Sequence, residues 1–512
     1  MKFADKATLN ILAKTMGSLL LMVSSVIMTR YLTKPVYGTY LQAMLIINTV
    51  ILLAFVGLPQ SIYYYFETAV NRKLFIYKNV LLSTVIGIAV ALIIVLCDGS
   101  ISRLVGNREL EEYMPYLAAI IVLQAPTCFR DPIFFSSGAL VANSVSALAC
   151  SVIDYLPLYY AVTAGWGLKS IFMVSAASKA VNLVLFFILL KRCCLDRCAG
   201  QVSDPAAKPV RLMDQVRYAV PIGAAGYLGV IGSQVDKYII SSGFSPSQFA
   251  VYSRGAMEVP LISTITYLLN DITLPQYVAA YKQKNIRLLL DLMHANIDKV
   301  AKINLAVFVF LLVEAPRLME ILYTSRYAEA TPIFRIYLLS LLFGVTVYNM
   351  IPTVSGNTRM LFHATLISIV AKISVCLLLL RVLGPIGVAA GVFVGSFLYM
   401  AYLLTCSVRI LQVKWSEIMP WARVAKIISV AVVAGAVSGL YHFCWGRLGL
   451  SESPVTLGIS FLLFSYVYLF GLDLVGLLCK DDHAFLRRWL RIDPFLFMPR
   501  LKGRVAADPP AG

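Results

Sequence analysis

Charged side chains stand inside long apolar stretches of this sequence, and they are the residues best able to do chemistry. Lys179 and Lys372 lie near the middle of two such stretches, and Arg254 enters a third. Ionisable groups within a membrane are costly and usually face a cavity or a partner. Arginine forks and lysine ammonium groups hold phosphate and diphosphate well. We therefore predict a positively charged cavity that binds an anionic, phosphate-bearing ligand and repels cations.

Three more basic residues are candidates for the same cavity. Arg30 ends the first apolar stretch in "MTRYL", Lys237 ends another in "SQVDKYII", and Lys14 lies one turn into the first. Long side chains near helix ends can instead extend to the membrane surface, so both interpretations stay open. The candidate substrate-binding residues are Lys14, Arg30, Lys179, Lys237, Arg254 and Lys372.

Four carboxylates are candidates for coupling to H⁺ or Na⁺: Asp154, Asp236, Glu258 and Asp271. The alternative is that each neutralises a neighbouring base; Glu258, for example, follows Arg254 by one helical turn. No metal site or cofactor is predicted. The three cysteines of "KRCCLDRC" lack a fourth ligand and the usual zinc spacing, and the four histidines are scattered.

The stretches that carry these charges are long enough to be membrane helices. The chain has 512 residues, 59% of them hydrophobic and only 14% charged. Crossing a bilayer takes about 20 mainly apolar residues. Six runs contain no Asp, Glu, Lys or Arg: Asn79–Cys97, Pro132–Ile153, Ile336–Asn357, Val382–Val408, Ile427–Gly446 and Ser453–Leu472. Eight more are weaker candidates: Asn10–Leu32, Tyr37–Leu58, Tyr113–Phe129, Leu168–Leu190, Tyr218–Ser241, Phe249–Asn270, Val300–Val313 and Met360–Leu380.

These fourteen helices predict an orientation. The termini and the loops after even-numbered helices hold 28 of the 44 lysine and arginine residues, and the loops after odd-numbered helices hold 9. Basic residues mark the cytoplasmic side, so we expect both termini in the cytoplasm. The first apolar run lacks a cleavage pattern and is expected to be a permanent helix. The net charge of +18 reflects this topology, and no nucleic-acid partner is predicted.

Two parts of the sequence repeat each other. "TKPVYGTYLQAM" at Thr33–Met44 is similar to "SPSQFAVYSRGAM" at Ser245–Met257, and "LPQSIYYY" at Leu58–Tyr65 is similar to "LPQYVAAY" at Leu274–Tyr281. The offset spans six helices, so both copies have the same orientation. Transporters built from parallel repeats place their substrate site between the halves near mid-membrane.

The repeat and the charge pattern predict five regions. Residues 1–191 form an N-terminal lobe of six helices, residues 192–215 a polar cytoplasmic linker, and residues 216–410 a C-terminal lobe of six helices. Residues 411–479 contain helices 13 and 14. Residues 480–512 form a basic cytoplasmic tail, where Trp489 beside Arg487 and Arg488 suits an amphipathic helix on an anionic membrane surface.

The stretch "TRYLTKPVYGTYLQAMLIINTVILLAFVGLPQSIYYYF" resembles the opening of Wzx-type polysaccharide flippases. "VDKYIIS", "FAVYSRGAM", "LPQY" and "LGPIGVAAGVFVGSFLYM" follow in the order typical of that family. It belongs to the multidrug/oligosaccharidyl-lipid/polysaccharide exporter superfamily, together with the lipid II flippases. The resemblance covers roughly residues 5–480 and implies an all-α membrane protein with a V-shaped pair of six-helix lobes, two extra C-terminal helices and a cationic cavity.

The resemblance also implies a function. The expected activity is flipping of an undecaprenyl-diphosphate-linked oligosaccharide across the bacterial inner membrane, for O-antigen, capsule or exopolysaccharide synthesis. The expected partners are that glycan and membrane lipids, with the polysaccharide polymerase machinery as a further candidate. Two alternatives stay open: an ion-coupled multidrug or organic-cation antiporter of the same superfamily, and a membrane polysaccharide polymerase. The loop Glu314–Thr331, the longest expected outside the membrane, is short for an enzyme, so we predict a transporter.

Overall fold

A computed structural model of the chain describes residues 3–55, 57–196, 210–257, 259, 273–346, 348–447 and 453–478. All regular elements in these ranges are helical. This agrees with the apolar composition, because a helix satisfies its own backbone hydrogen bonds inside a bilayer. The fold class predicted from the sequence, an all-α membrane protein, is therefore confirmed.

The helices of the first half of the chain, residues up to 196, are mostly long. They are α1 (Phe3–Tyr31), α2 (Lys34–Phe55), α3 (Leu58–Tyr65), α4 (Arg72–Leu96), α5 (Asp98–Val105), α6 (Leu110–Gln124), α7 (Arg130–Ser136), α8 (Leu140–Thr163) and α9 (Leu168–Leu189). A 3₁₀ turn, Ala125–Phe129, joins α6 to α7, and a π-helical turn, Leu190–Leu195, extends α9.

The second half continues with α10 (Leu212–Gly243), α11 (Pro246–Gly255), α12 (Ile286–Tyr323), α13 (Ala330–Leu338), α14 (Met350–Val354), α15 (Thr358–Leu383), α16 (Pro385–Leu411), α17 (Trp415–Ile418), α18 (Trp421–Arg447) and α19 (Pro454–Leu474). Residues 273–282 are also helical. Local signals fix several of these ends. Ser453 accepts a hydrogen bond from the Thr456 amide, and Pro454 occupies the first turn, a typical start for α19.

Ten helices in the described ranges are long and apolar enough to cross a membrane: Leu12–Tyr31, Lys34–Phe55, Arg72–Leu96, Leu110–Ser136, Leu140–Thr163, Leu168–Leu195, Arg359–Leu383, Pro385–Leu411, Trp421–Arg447 and Pro454–Leu474. They correspond to predicted helices 1 to 6 and 11 to 14. Helices α10 and α12 have 32 and 38 residues, which is sufficient length, but they are more polar. Most of the predicted span Phe249–Asn270 lies outside the described residues. The count of fourteen stays a prediction.

Several sequence-based boundaries are wrong. The predicted span Pro132–Ile153 is divided between α7, which ends at Ser136, and α8, which begins at Leu140. The predicted span Ile336–Asn357 is not one helix, because α13 and a 3₁₀ turn end at Leu342 and α14 begins only at Met350. The predicted loop from Glu314 begins instead inside α12, which continues to Tyr323. Ala315, Met319 and Tyr323 recur every four residues and are buried, so the helical apolar face runs on through Pro316.

The described contacts divide the chain into two compact units. Unit 1 comprises Met1–Leu268, Met319–Phe343 and Val347–Gln412, and unit 2 comprises Leu269–Leu318, Gly344–Thr346 and Val413–Gly512. Within unit 1, helices of the first half pack against α10 and α11. Within unit 2, α12 carries polar side chains that contact α18 and α19. The five regions predicted from the sequence stay predictions.

Candidate functional site

A polar cavity of about 270 Å³ lies among the helices of the first half of the chain. Its wall comes from the end of α6, the 3₁₀ turn and first residue of α7, and the facing sides of α8 and α9. The polar lining includes Gln124, Arg130, Asp154, Lys179 and Asn182. Two cationic side chains and one carboxylate therefore face the same space, and the lining carries a net positive charge. Such a cavity is suited to an anion.

Asp154 on α8 is held by two residues of α9. Lys179 Nζ lies 2.8 Å from Asp154 Oδ2, and Asn182 Nδ2 donates to Asp154 Oδ1 over 2.9 Å. Lys179 and Asn182 are three residues apart, so they share a helix face. About a quarter of each charged side chain is exposed, 24% for Lys179 and 22% for Asp154. The carboxylate thus neutralises the lysine at the cavity wall.

A second group of charges begins at the same cavity and leads away from it. Arg130 Nη1 contacts Cys150 Sγ at 3.3 Å, and its Nη2 lies 3.3 Å from Asp131 Oδ1. The other oxygen of Asp131 accepts a hydrogen bond from Lys14 Nζ at 2.9 Å. Lys14 does not line the cavity; it is half exposed and lies 5.9 Å from the Phe135 ring centre. Arg130 is the cavity-lining base that the candidate set omitted.

The candidates in the second half of the chain lie apart from this cavity. Asp236 on α10 is buried, and its Oδ2 accepts hydrogen bonds from the hydroxyls of Tyr252, at 3.0 Å, and Tyr337. Lys372 on α15 donates to the Gly232 carbonyl at 2.6 Å, and Lys237 Nζ lies 3.2 Å from Gln234 Oε1. The Asp236 and Lys372 contacts tie α10 to its neighbours, whereas the Lys237 contact lies within α10. The predicted roles of Lys237 and Lys372 in substrate binding and of Asp236 in ion coupling stay predictions.

The remaining candidates either lie in the last turn of a helix or fall outside the described residues. Arg30 at the end of α1 is exposed and donates to the Ile321 carbonyl at 2.7 Å. The guanidinium of Arg254 lies between two rings, 5.5 Å from Tyr37 and 5.7 Å from Tyr323, a cation–π arrangement. Glu258 and Asp271 lie outside the described residues.

The family model for polysaccharide biosynthesis proteins matches residues 27–332, more than half of the chain. The chain belongs to this family. Its match includes the whole polar cavity, whose lining runs from Leu123 to Phe186. Among curated proteins, none matches the sequence significantly.

Solved structures show the fold. The lipid II flippase MurJ, in an inward closed conformation, has a TM-score of 0.68 and 15% identity, covering 94% of this chain and 100% of its own. A multidrug resistance MATE transporter of the MOP superfamily, facing inward, has a TM-score of 0.59 and 16% identity over 79% and 99%. A MOP transporter from Pyrococcus furiosus, described as having a binding pocket of reversed polarity, reaches 0.54 with 15% identity over 80% and 96%.

These neighbours are transporters and flippases rather than enzymes, and the chain is a multi-pass membrane protein of the same fold. The family match supports a role in polysaccharide biosynthesis, and the solved structures show the fold in which that role is carried out. Within this polysaccharide biosynthesis protein, no group of three His, Cys, Asp or Glu side chains in the described ranges could hold a metal ion. Sequence reasoning missed Glu314, because an acidic residue before "APR" was assigned to a loop and not to a buried helix face.

Proposed function

We propose that this protein flips an undecaprenyl-diphosphate-linked oligosaccharide from the cytoplasmic to the outer face of the bacterial inner membrane. The product would supply O-antigen, capsule or exopolysaccharide synthesis. One observation carries the proposal: Arg130 and Lys179 line a polar cavity between apolar helices of a chain in the polysaccharide biosynthesis family. Its partners would be the lipid-linked glycan, membrane lipids and the polysaccharide polymerase machinery.

The Asp154–Lys179 pair gives a physical route for binding a diphosphate. A buried base is costly without a counter-charge, and Asp154 supplies it at 2.8 Å. A phosphate oxygen that enters the cavity can contact Lys179 while Asn182 continues to hold the Asp154 carboxylate. Arg130 adds a guanidinium whose fork matches phosphate geometry. An organic cation would meet two bases here, which disfavours the antiporter alternative.

The size of the cavity implies that the protein must open. Sites for small molecules typically measure about 300–1,000 Å³. The cavity, at about 270 Å³, is near the lower limit and can receive a diphosphate but not an attached oligosaccharide. Flipping by alternating access would enlarge it towards one membrane face and then the other. The excess of basic residues in alternate loops supports placing both termini in the cytoplasm.

Deleting the gene and analysing the glycan separates the alternatives. We expect loss of surface glycan and accumulation of lipid-linked repeat units. In cells whose outer membrane is permeabilised and whose inner membrane is intact, added reagents should not reach these units. A plasmid copy should restore the glycan. Unchanged glycan with altered drug sensitivity would replace this proposal with the antiporter. Accumulation of single repeat units on the outer face would indicate a polymerase instead.

A further inference from the structure

A cluster of polar and charged side chains is buried inside unit 2. Glu314 on α12 is fully buried, and its Oε1 accepts hydrogen bonds from Ser438 Oγ on α18, at 2.6 Å, and from Ser460 Oγ on α19, at 2.8 Å. Its Oε2 lies 3.1 Å from His442 Nε2 and 3.5 Å from Arg317 Nη1. One carboxylate thus joins three helices.

Packing alone does not account for this cluster. Replacing a buried ion pair with apolar residues is often neutral or stabilising, so a buried pair is weak evidence for a structural role. Within membrane proteins, Asp, Glu and His side chains that face the bundle interior mark proton relays. Both α18 and α19 are apolar enough to cross a membrane, and α12 brings Glu314 against them. The residue types therefore indicate proton binding.

The charge balance favours a proton over a metal cation. Arg317 Nη1 and His442 Nε2 both lie against Glu314 Oε2, at 3.5 and 3.1 Å, so basic side chains already occupy the oxygen that Na⁺ would need. Ser438 Oγ and Ser460 Oγ lie 2.7 Å apart, which closes a hydrogen-bonded triangle with Glu314 Oε1. Hydroxyl groups both donate and accept. Two hydroxyl hydrogens cannot serve all three contacts when Glu314 is a carboxylate, whereas a carboxylic acid supplies the third donor.

We propose that Glu314 and His442 form a proton-binding site that couples proton uptake to the packing of α18 and α19 on α12. The groups around the pair include Arg317 from α12, Tyr441 from α18, whose ring centre lies 5.0 Å from that of His442, and the two serines. One added proton, on the imidazole or on the carboxylate, raises the charge of the cluster by one unit. The added positive charge repels Arg317 and so changes how α12 packs against α18 and α19.

The neighbours of the cluster supply a route for the proton. Glu314 and His442 have no exposed side-chain surface, whereas 24% of the Arg317 side chain is exposed. Arg317 is therefore the member of the cluster past which a proton would reach the pair. The carboxylates favoured by the sequence have other partners, because Asp154 pairs with Lys179 and Asp236 accepts two tyrosine hydroxyls. The coupling role rests on the proposed transport function, but proton uptake by the pair does not.

Proton uptake is measured directly on the full chain in lipid vesicles. Infrared difference spectra between about pH 8 and about pH 5, the range in which imidazole titrates, report new carboxylic-acid and imidazolium bands. We expect Glu314→Gln and His442→Gln each to remove one proton of uptake from the wild-type total. Glu320→Gln is the matched control, because Glu320 lies on the same helix and is exposed. Identical difference spectra for the wild type and both cluster variants would overturn the proposal.

Coupling is measured in vesicles with a lipid-linked diphosphate glycan and an imposed pH gradient. We expect both cluster variants to retain exchange of the glycan and to lose its gradient-driven accumulation. Variants that lose only thermal stability and keep the gradient dependence would show a structural role, and a response to Na⁺ in place of H⁺ would also overturn the proposal. If the wild type flips no glycan, the proposed function fails while the uptake measurement still decides the proton site.

Discussion

The Asp154–Lys179 pair shows why single substitutions at the cavity are ambiguous. Removing Lys179 alone leaves the largely buried Asp154 carboxylate without its counter-charge, which destabilises the folded protein. Loss of activity would then report misfolding as readily as loss of binding. Replacing both members removes the pair without leaving an uncompensated charge.

We therefore expect the double variant Asp154→Asn with Lys179→Met to fold but to bind the lipid diphosphate poorly. A hydrogen bond to a charged group contributes about 1.5–3 kcal/mol, or roughly 10- to 100-fold in affinity. The measurement is binding of an undecaprenyl diphosphate to purified protein, with restoration of surface glycan as the cellular counterpart. Lys169→Met is the control, since Lys169 lies on the same helix near the Tyr116 ring and not at the cavity. Wild-type affinity in the double variant would remove Lys179 from the site.

At the scale of elements, a glycine allows two helices to approach closely. A Cβ atom on Gly38 of α2 would lie 1.9 Å from the carbonyl oxygen of Pro246, the first residue of α11. The two segments involved, Thr33–Met44 and Ser245–Met257, are also the two copies of the sequence repeat. The contact therefore joins the first turns of α2 and α11, which occupy equivalent positions in the two copies of the repeat.

Gly38→Ala is expected to destabilise the protein by forcing α2 away from α11. Backbone atoms cannot move aside as a flexible side chain can, so we expect a lower Tm in detergent and reduced restoration of the glycan. Gly229→Ala on α10 is the control, because a Cβ there meets nothing within 4 Å. Inside a helix, alanine stabilises the folded state by roughly 0.5–1 kcal/mol relative to glycine, so this variant should be at least as stable as the wild type. Equal Tm values for both variants would contradict the close contact.

The sequence predicts the helices better than it predicts which side chains the charged residues contact. The apolar runs locate ten spans, because hydrophobic length is a local property. The partners of the charges are not local: Lys14 and Asp131 are separated by 117 positions, and no spacing rule connects them. Glu314 was missed for a similar reason. A proline and an arginine within three residues suggest a loop, and only contact with Ser438 and Ser460 reveals the buried helix face.

At the scale of the molecule, α10 connects to the first half of the chain at both of its ends. Near its start, the Tyr218 ring stacks on Tyr64 with centroids 4.6 Å apart. Near its end, Ser241 accepts a hydrogen bond from Gln42 Nε2 at 2.9 Å and donates to the Val105 carbonyl at 2.8 Å. With 32 residues, α10 is about 48 Å long, so these contacts close opposite ends of the bundle. The proposed alternating access would require them to open in turn.

Cross-linking one end of α10 tests this requirement. In a variant whose native cysteines are serines, we would place cysteines at Tyr64 and Tyr218 and join them with a short bifunctional thiol reagent. Because the stacked rings hold these positions close, we expect efficient cross-linking and loss of most flipping in vesicles. Cleaving a reducible linker should restore the activity, and treated single-cysteine variants should keep theirs. Full flipping by the cross-linked protein would show that this end of α10 stays closed throughout transport, and the substrate would then need a route that does not pass between α3 and α10.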